Sequence, residues 1–333
     1  MTAASPSLRD VAERAGVSRS LVSLALRGER GVADSRRRAV VDAADALNYP
    51  VTLLARAMSS GSELVIGVVA TDLSNPFHAE VCAGVARAAR ENGMSVVTFD
   101  GLGDRDWVER QLRIALRMEL LGVVVVSTWL GNDVLSTATA TRPIVVVGTA
   151  VSGVPGVDSV GSDEASGLRD AVLHLAAQGH RRLGFVAEST RASSTRRHRM
   201  CTDVARTLFG EGAVPSVTID ASETDILAFL EARTGIIAAT DVAARRILDI
   251  ATRNGLQVPS DVAIVGFDNT ATATSGRIHL TTIDQSRASL GSRAAELLVE
   301  RLRGRTRDRD DLLPTVLVTR ESTTGSGGLD GHH

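Results

Sequence analysis

At 333 residues the chain is long enough for two or three domains, because a single core rarely grows past roughly 250 residues. It is 44% apolar and 23% charged but only 3% aromatic, so aliphatic side chains and alanine must fill the core of an otherwise ordinary globular composition. A net charge of −2 argues against a chain that coats nucleic acid along its whole length. Residues 1–60 nevertheless carry nine arginines against six acidic residues, a basic head on an acidic body, as expected where only the head meets an anion. No apolar run approaches the ~20 residues needed to cross a bilayer. The first residues lack the basic start and apolar stretch of a secretory signal. Two widely spaced cysteines, Cys82 and Cys201, build no disulfide framework, and the expectation is a cytoplasmic, nucleoid-associated protein.

In chain order, Leu8, Val11, Ala12 and Ala15 recur at the i, i+3, i+4, i+7 spacing of one helix face. Gly16 accepts the left-handed turn that ends this helix, and Ser18 is placed to cap a second one over residues 19–26, with Leu21, Val22, Ala25 and Leu26 inward. Gly28 stops it. A third helix, about residues 34–47, is expected to bury Ala39, Val40, Ala43, Ala44 and Leu47. Asn48-Tyr49-Pro50 breaks the pattern, residues 53–58 are a short helical candidate, and Ser59-Ser60-Gly61-Ser62 reads as a linker.

From Leu64 onward buried strands alternate with amphipathic helices. Strands are expected at residues 65–70, 95–99, 122–127, 144–148, 182–187, 217–219, 235–239 and 263–266. Helices are expected at 79–91, 107–118, 164–178, 197–210 and 241–254. Continuous apolar strands separated by helices indicate parallel sheets covered on both faces, and this many strands suggests two sheets.

The head VAERAGVSRSLVSLALRG, the junction ALNYP and the opening LVIGVVATDLSNPFHAEVCAGVARAARENG are followed in order by HLAAQGHRRLGFVAES, GLQVPSDVAIVGFDNT, HLTTIDQ and LLPTVLVTREST. This ordered set resembles the lac repressor (LacI/GalR) family of bacterial transcription regulators over almost the whole chain. The resemblance implies an α/β fold: a three-helix helix-turn-helix head and hinge helix, then two doubly wound parallel-sheet subdomains like those of periplasmic binding proteins. The implied boundaries are 1–48 for the head and 49–62 for the hinge and linker. Residues 63–160 with 287–314 would form one subdomain, 161–286 with 315–324 the other, and 325–333 a tail. It further implies a homodimer on near-palindromic double-stranded operator DNA. A small polar metabolite, sugar-like or nucleoside-like, would bind between the subdomains and control a repressor, with no cofactor and no membrane.

In the head, Ser18, Arg19, Ser20, Ser23 and Leu24 occupy the DNA-facing start of the second helix. Arg19 is the candidate for guanine readout, the serines suit phosphates or bases, and Leu24 departs from the polar residue usual there. For Arg36-Arg37-Arg38 two readings stay open, phosphate contact and a solvated basic face. In the hinge, Thr52 stands where Asn is usual, Met58 replaces the apolar wedge that kinks DNA, and Ala55 is expected against the groove. So short a helix is marginal alone and is expected to order on DNA. The alternative is that Leu53, Leu54 and Met58 pack between protomers.

Ligands of parallel sheets sit beyond the carboxyl ends of strands. That rule and the resemblance select Phe77, Ser127, Trp129, Arg191, Ser193, Arg197, Thr240, Asp241 and Asp268 as effector-binding candidates. Arg197 matches the family arginine that grips ligand oxygens, and Asp268 the carboxylate that accepts from ligand donors. The residues after Arg197, together with Thr240 and Gly148, depart from the family pattern and argue against a standard hexose pocket. The arginines at 191, 196, 197 and 199 leave an anionic ligand open. No catalytic constellation or metal set emerges: His174 and His180 flank a structural turn, Cys82 lies on an apolar helix face, and Gly101-Leu102-Gly103-Asp104 does not fit a dinucleotide loop. Two other classes stay open at this point: a metabolite sensor of the same fold without DNA binding, and an α/β enzyme with a helical appendage.

Overall fold

The computed structural model describes residues 6–29, 31–61, 63–148, 154–188, 192–210 and 214–324. Four helices come first: α1 (Leu8–Ala15), α2 (Arg19–Leu26), α3 (Asp34–Ala46) and α4 (Leu53–Ser60). A capping box between Ser7 and Asp10 starts α1, and Gly16, at φ +68°, ends it by donating its N–H back to the last turn. Ser18 accepts from the N–H of Leu21 and starts α2. Val11, Val22, Ala25, Val40 and Ala44 are fully enclosed and form the centre of the bundle. Enclosing one valine contributes about 1.5–3 kcal/mol, so this small core depends on every member.

The face of α3 differs from the periodicity reading. Ala39 is exposed, and the inward place is taken by Arg37, which is 0% exposed. Its guanidinium donates to the carbonyl of Ala25 at 2.9 Å and to that of Glu29. These carbonyls lie at and just beyond the end of α2, where helical oxygens lack partners and the helix dipole favours a cation. Arg37 is therefore neither a phosphate ligand nor part of a solvated face. Arg36 and Arg38 are exposed.

The body follows in βα order: β1 (Val65–Ala70), α5 (Pro76–Glu91), β2 (Ser95–Asp100), α6 (Arg105–Arg117), β3 (Val123–Val126), α7 (Asn132–Thr139), β4 (Ile144–Val147) and β5 (Val157–Ser162). Next come α8 (Glu164–Ala177), β6 (Leu183–Ala187), α9 (Ala192–Phe209), β7 (Ser216–Thr218), α10 (Glu223–Glu231), β8 (Gly235–Ala238), α11 (Asp241–Arg253) and β9 (Ala263–Asp268). The last elements are β10 (Thr281–Asp284), α12 (Arg287–Leu302), β11 (Asp310–Leu313), β12 (Val316–Val318) and α13 (Glu321–Thr324).

Two six-stranded sheets result, ordered β11-β5-β4-β3-β1-β2 and β12-β10-β9-β8-β6-β7. The neighbouring pairs among β1 to β5 and among β6 to β10 are parallel, while β12 joins β10 antiparallel. Strand order reverses beside β1 in the first sheet and beside β6 in the second, which creates a crevice at each carboxyl edge. The chain divides into two compact units, Met1–Ser74 with Val81–Val160 and Gly291–Asp311, and Asn75–Glu80 with Gly161–Leu290 and Leu312–His333.

In the first unit Val108, Leu112 and Leu135 of α6 and α7 cover one face of the sheet. On this sheet a side chain at Gly122 would meet Leu298 of α12 at 2.7 Å, so the glycine permits the helix to approach. In the second unit, α8 and α9 bury Leu168, Leu175 and Cys201 against the sheet, and α10 and α11 bury Ile226, Leu230 and Ile247. Strand β5, absent from the sequence reading, is buried at every position although it reads VDSVGS. Its Asp158 is 0% exposed and receives bonds from Arg301 at 2.8 Å, Arg305 at 2.7 Å and the backbone N–H of Arg309 at 2.9 Å. Burial works to raise this carboxyl's pKa, but the bonds from Arg305 and Arg301 outweigh it and hold it below the ordinary value.

Candidate nucleic-acid interface and effector site

The start of α2 is the exposed part of the head. Ser18, Arg19, Ser20 and Leu24 are exposed and Ser23 is half-buried, while Val22, Ala25 and Leu26 on the opposite face anchor the helix. The Ser18 hydroxyl caps the helix and lies 3.0 Å from that of Ser20. Leu24, 38% exposed, is a large apolar side chain presented to solvent beside these polar groups. A helix with a fixed cap, a buried back and an Arg–Ser front can place donors and acceptors against base edges and phosphates.

The hinge differs from its expectation in the facing of Thr52 and Ala55. Helix α4 packs on α3. Thr52 is its N-cap, accepting from the N–H of Ala55 at 3.2 Å and donating to the carbonyl of Leu26 at 2.7 Å. Leu54 is buried against Gly28, where a Cβ would stand 2.7 Å from its Cγ, so that position excludes any side chain. Ala55 is 0% exposed, on a helix that packs on α3. Thr52 and Ala55 are thus committed to the head's own packing and not presented to a groove. Met58 is half-buried and Leu53 is exposed.

At the carboxyl edge of the second sheet several candidate side chains meet. Arg197, on α9, directs Nε and Nη2 to Glu164 Oε1 at 3.0 and 2.7 Å and Nη1 to the carbonyl of Ala239 at 2.6 Å. Its guanidinium carbon lies 3.7 Å from the centre of the Phe267 ring. Arg196 takes the other oxygen, Glu164 Oε2, at 2.7 and 3.0 Å. Burial opposes charge on Glu164, yet Arg197 and Arg196 hold its carboxyl below the ordinary range.

Asp241, fully buried at the start of α11, accepts from the N–H of Thr270 at 2.7 Å and from the hydroxyls of Thr270 and Thr282. Burial still raises its pKa to about 6. Asp268, at φ +111°, accepts from Gln285 Nε2 at 2.6 Å. Burial, opposed by Arg197 and reinforced by Asp241, pushes its carboxyl well above the ordinary value. Asn269 follows at φ +54°, and such strained backbone at a crevice is held only where its surroundings over-determine it. Thr240 caps α11 and donates to Glu188 Oε1 at 3.0 Å, and Glu188 is in turn bonded through its own N–H to Ser194.

Arg197, Thr240, Asp241 and Asp268 are therefore brought to one edge. Ser193 is half-buried in the first turn of α9, and Arg191 lies outside the described residues. Phe77, half-buried at the start of α5, stands edge-on to His78 at 5.6 Å. Ser127 and Trp129 belong to the first unit, where the Trp129 N–H donates to the Ser127 hydroxyl at 3.2 Å after β3. Phe267 is marked in the sequence as the neighbour of Asp268 at a strand end, whereas Glu164, Glu188 and Gln285 are not singled out there. Glu164 follows the unrecognised strand β5, whereas Glu188 and Gln285 directly follow strands and were legible from position alone.

Among the described residues no group of three His, Cys, Asp or Glu side chains is arranged to hold a metal ion, and no helix is long and apolar enough to cross a membrane. His174 Nε2 meets the Thr323 hydroxyl at 2.8 Å, a packing contact with the C-terminal segment. Cys82 is buried, and burial lifts its thiol to about 12, far from nucleophilic.

Residues 7–50 match the family described as bacterial regulatory proteins, lacI family, and residues 172–323 match the periplasmic binding protein-like domain. The HTH-type transcriptional repressor PurR of Mannheimia succiniciproducens is 28% identical over 327 residues, covering 95% of this chain and 98% of that protein. Catabolite control protein A of Priestia megaterium is 27% identical, covering 94% and 98%. The solved complex of transcriptional regulator CelR with cellobiose superposes at a TM-score of 0.66 with 26% identity, over 95% of this chain and 99% of that one. The lac repressor dimer bound to operator and the anti-inducer ONPF shares the fold, with a TM-score of 0.68 at 24% identity over 96% and 99%.

Proposed function

From a chain that belongs to the lacI family of bacterial regulatory proteins, with a periplasmic binding protein-like body, we propose a sequence-specific transcriptional repressor gated by a small polar metabolite. It acts in the cytoplasm as a homodimer on a near-palindromic operator. The observation that carries this reading is the front of α2: Ser18, Arg19, Ser20 and Leu24 exposed on a helix whose other face is locked into the head. Arg19 reads guanine O6 and N7, the serines hold phosphates or base edges, and Leu24 meets a thymine methyl. Met58 is the apolar wedge of the hinge.

The effector, sugar-like or nucleoside-like, binds at the carboxyl edge of the second sheet, where Arg197, Asp268 and their neighbours supply both donors and acceptors. The cellobiose held by CelR supports a polyhydroxyl ligand by likeness. The relatives are named as repressors and regulators and not as enzymes, so the enzyme reading has no support. Ligand controls operator affinity only through unequal affinity for two arrangements of the protein, and the coupling is reciprocal.

Selection of bound sequences from a random duplex pool, repeated across a metabolite panel, tests the proposal. A two-fold-symmetric consensus whose retention changes with one metabolite class is the expected result. Absence of sequence-selective binding under every condition refutes it.

A further inference from the structure

We propose that Glu164 sets the charge class of the effector: by occupying Arg196 and Arg197 it reserves the site for an uncharged or cationic, donor-rich ligand and bars phosphate- and carboxylate-bearing metabolites. The inference rests on the second sheet's carboxyl edge being the effector site.

Among the described residues, each cation at this edge is already engaged. Arg196 and Arg197 share the two oxygens of Glu164, and the Glu164 and Arg197 side chains are 5% and 9% exposed. Arg287 is bonded to Glu80, Asp284 and the carbonyl of Asp268, and Arg320 to the carbonyl of Leu280 and to Asn269. Facing them are Glu188, Asp241 and Asp268. Among the described residues, an incoming anion would meet these carboxyls with no unpaired guanidinium to offset its desolvation.

Arg197 is not exhausted as a donor. Of its five N–H groups three are engaged, which leaves one on each terminal nitrogen for a neutral hydroxyl or carbonyl oxygen. Asp268 accepts a single side-chain bond, from Gln285, and its raised pKa favours the carboxyl form that donates as well as accepts. Such a set matches vicinal hydroxyls or ring N–H groups. Two members of the arginine-rich segment that leaves an anionic ligand open in the sequence, Arg196 and Arg197, are thus held by one carboxylate 32 positions upstream of Arg196.

The test is calorimetric titration of the full-length protein with sulfate as a bare anion probe and with matched pairs: ribose and ribose 5-phosphate, adenosine and adenosine 5′-phosphate, glucose and glucosamine. The unmodified protein is expected to take up neither sulfate nor any phosphorylated member at millimolar concentration. Glu164→Gln, which keeps shape and removes charge, is expected to gain sulfate affinity by about tenfold or more, and Glu164→Gln/Arg197→Gln to lose that gain. Sulfate binding by the unmodified protein that Arg197→Gln abolishes, preference for the phosphorylated members, or equal sulfate binding by the single and double variants overturns the inference. Should Glu164→Gln fail to fold, the unmodified protein's titrations still decide, with Glu164→Asp expected to behave like it. A protein that binds operator but answers to no metabolite defeats the effector reading instead, and the sulfate arm is independent of that outcome.

Discussion

Replacing Arg37 by methionine separates a structural arginine from a DNA-contacting one. The guanidinium is 0% exposed and donates to two backbone carbonyls, Ala25 O and Glu29 O. A hydrogen bond from a charged group contributes ~1.5–3 kcal/mol, and methionine recovers part of this by filling the stem's volume. The net loss is about 2–4 kcal/mol, most of what a core of this size supplies. The assay is hydrogen exchange by mass spectrometry on the full chain. Peptides from α1 to α3 should exchange roughly thirty- to several-hundred-fold faster, at 1.4 kcal/mol per tenfold, while peptides from the two sheets stay unchanged. Operator affinity falls with the head's stability. Arg36→Gln, at an exposed position on the same helix, should leave exchange unaltered. The reasoning is refuted if Arg37→Met exchanges like the parent and instead lowers the salt slope of DNA binding by about one, the signature of a lost phosphate contact.

Arg19→Ala should cost about 1–3 kcal/mol of operator affinity and relax preference at one base pair per half-site, read by competition with single-substitution operators. Uniform weakening across sequences would reassign Arg19 to phosphate. Asp158→Ala strands Arg301 and Arg305 in the first unit, and since each retains another carboxylate, Asp308 and Glu300, the loss should sit near the low end for buried pairs, about 3 kcal/mol by urea unfolding. For pH, Asp241 carries a folded pKa of about 6 against an unfolded value near 3.9, so the native state holds the extra proton between them and stability falls as pH rises from about 4 to 6. His174 and His180, both depressed by burial, act in the opposite sense, losing stability as pH falls below about 6.5. The difference between parent and Asp241→Asn thermal shifts reports Asp241 together with its influence on Asp268; a pH-independent difference would contradict the assignment.

The sequence made the head and the βα alternation legible because the signals were local. Gly16 and Ser18 mark the turn by backbone conformation and capping, and the runs VVVV and IVVV can only be buried strands. What was hidden depended on partners far along the chain. Strand β5 reads polar because Asp158 is satisfied by arginines 143 and 147 residues later. Arg37 reads as a surface charge because its two acceptors are carbonyls, which every residue carries. Arg197 reads as a strand-end residue of the second sheet, and Glu164 opens a helix the periodicity already marks, but their pairing joins positions 33 apart and no local pattern reveals it. Thr52 and Ala55 carried the right residue types for a hinge, and only the packing of α4 on the head showed which side they face.

The interleaving of the two units bears on the order in which the chain can fold as it is made. The head needs nothing beyond residue 61 for its core and cap, so it can close first. The first unit lacks the cover that α12 lays over Gly122 until residues near 300 have been added, and the second lacks its edge strand until Val316–Val318 joins β10. A long interval of synthesis therefore passes in which a finished DNA-reading head trails an open, aliphatic body. The released full chain and a released chain truncated before Val316 should differ in protease resistance of the second unit and not of the head.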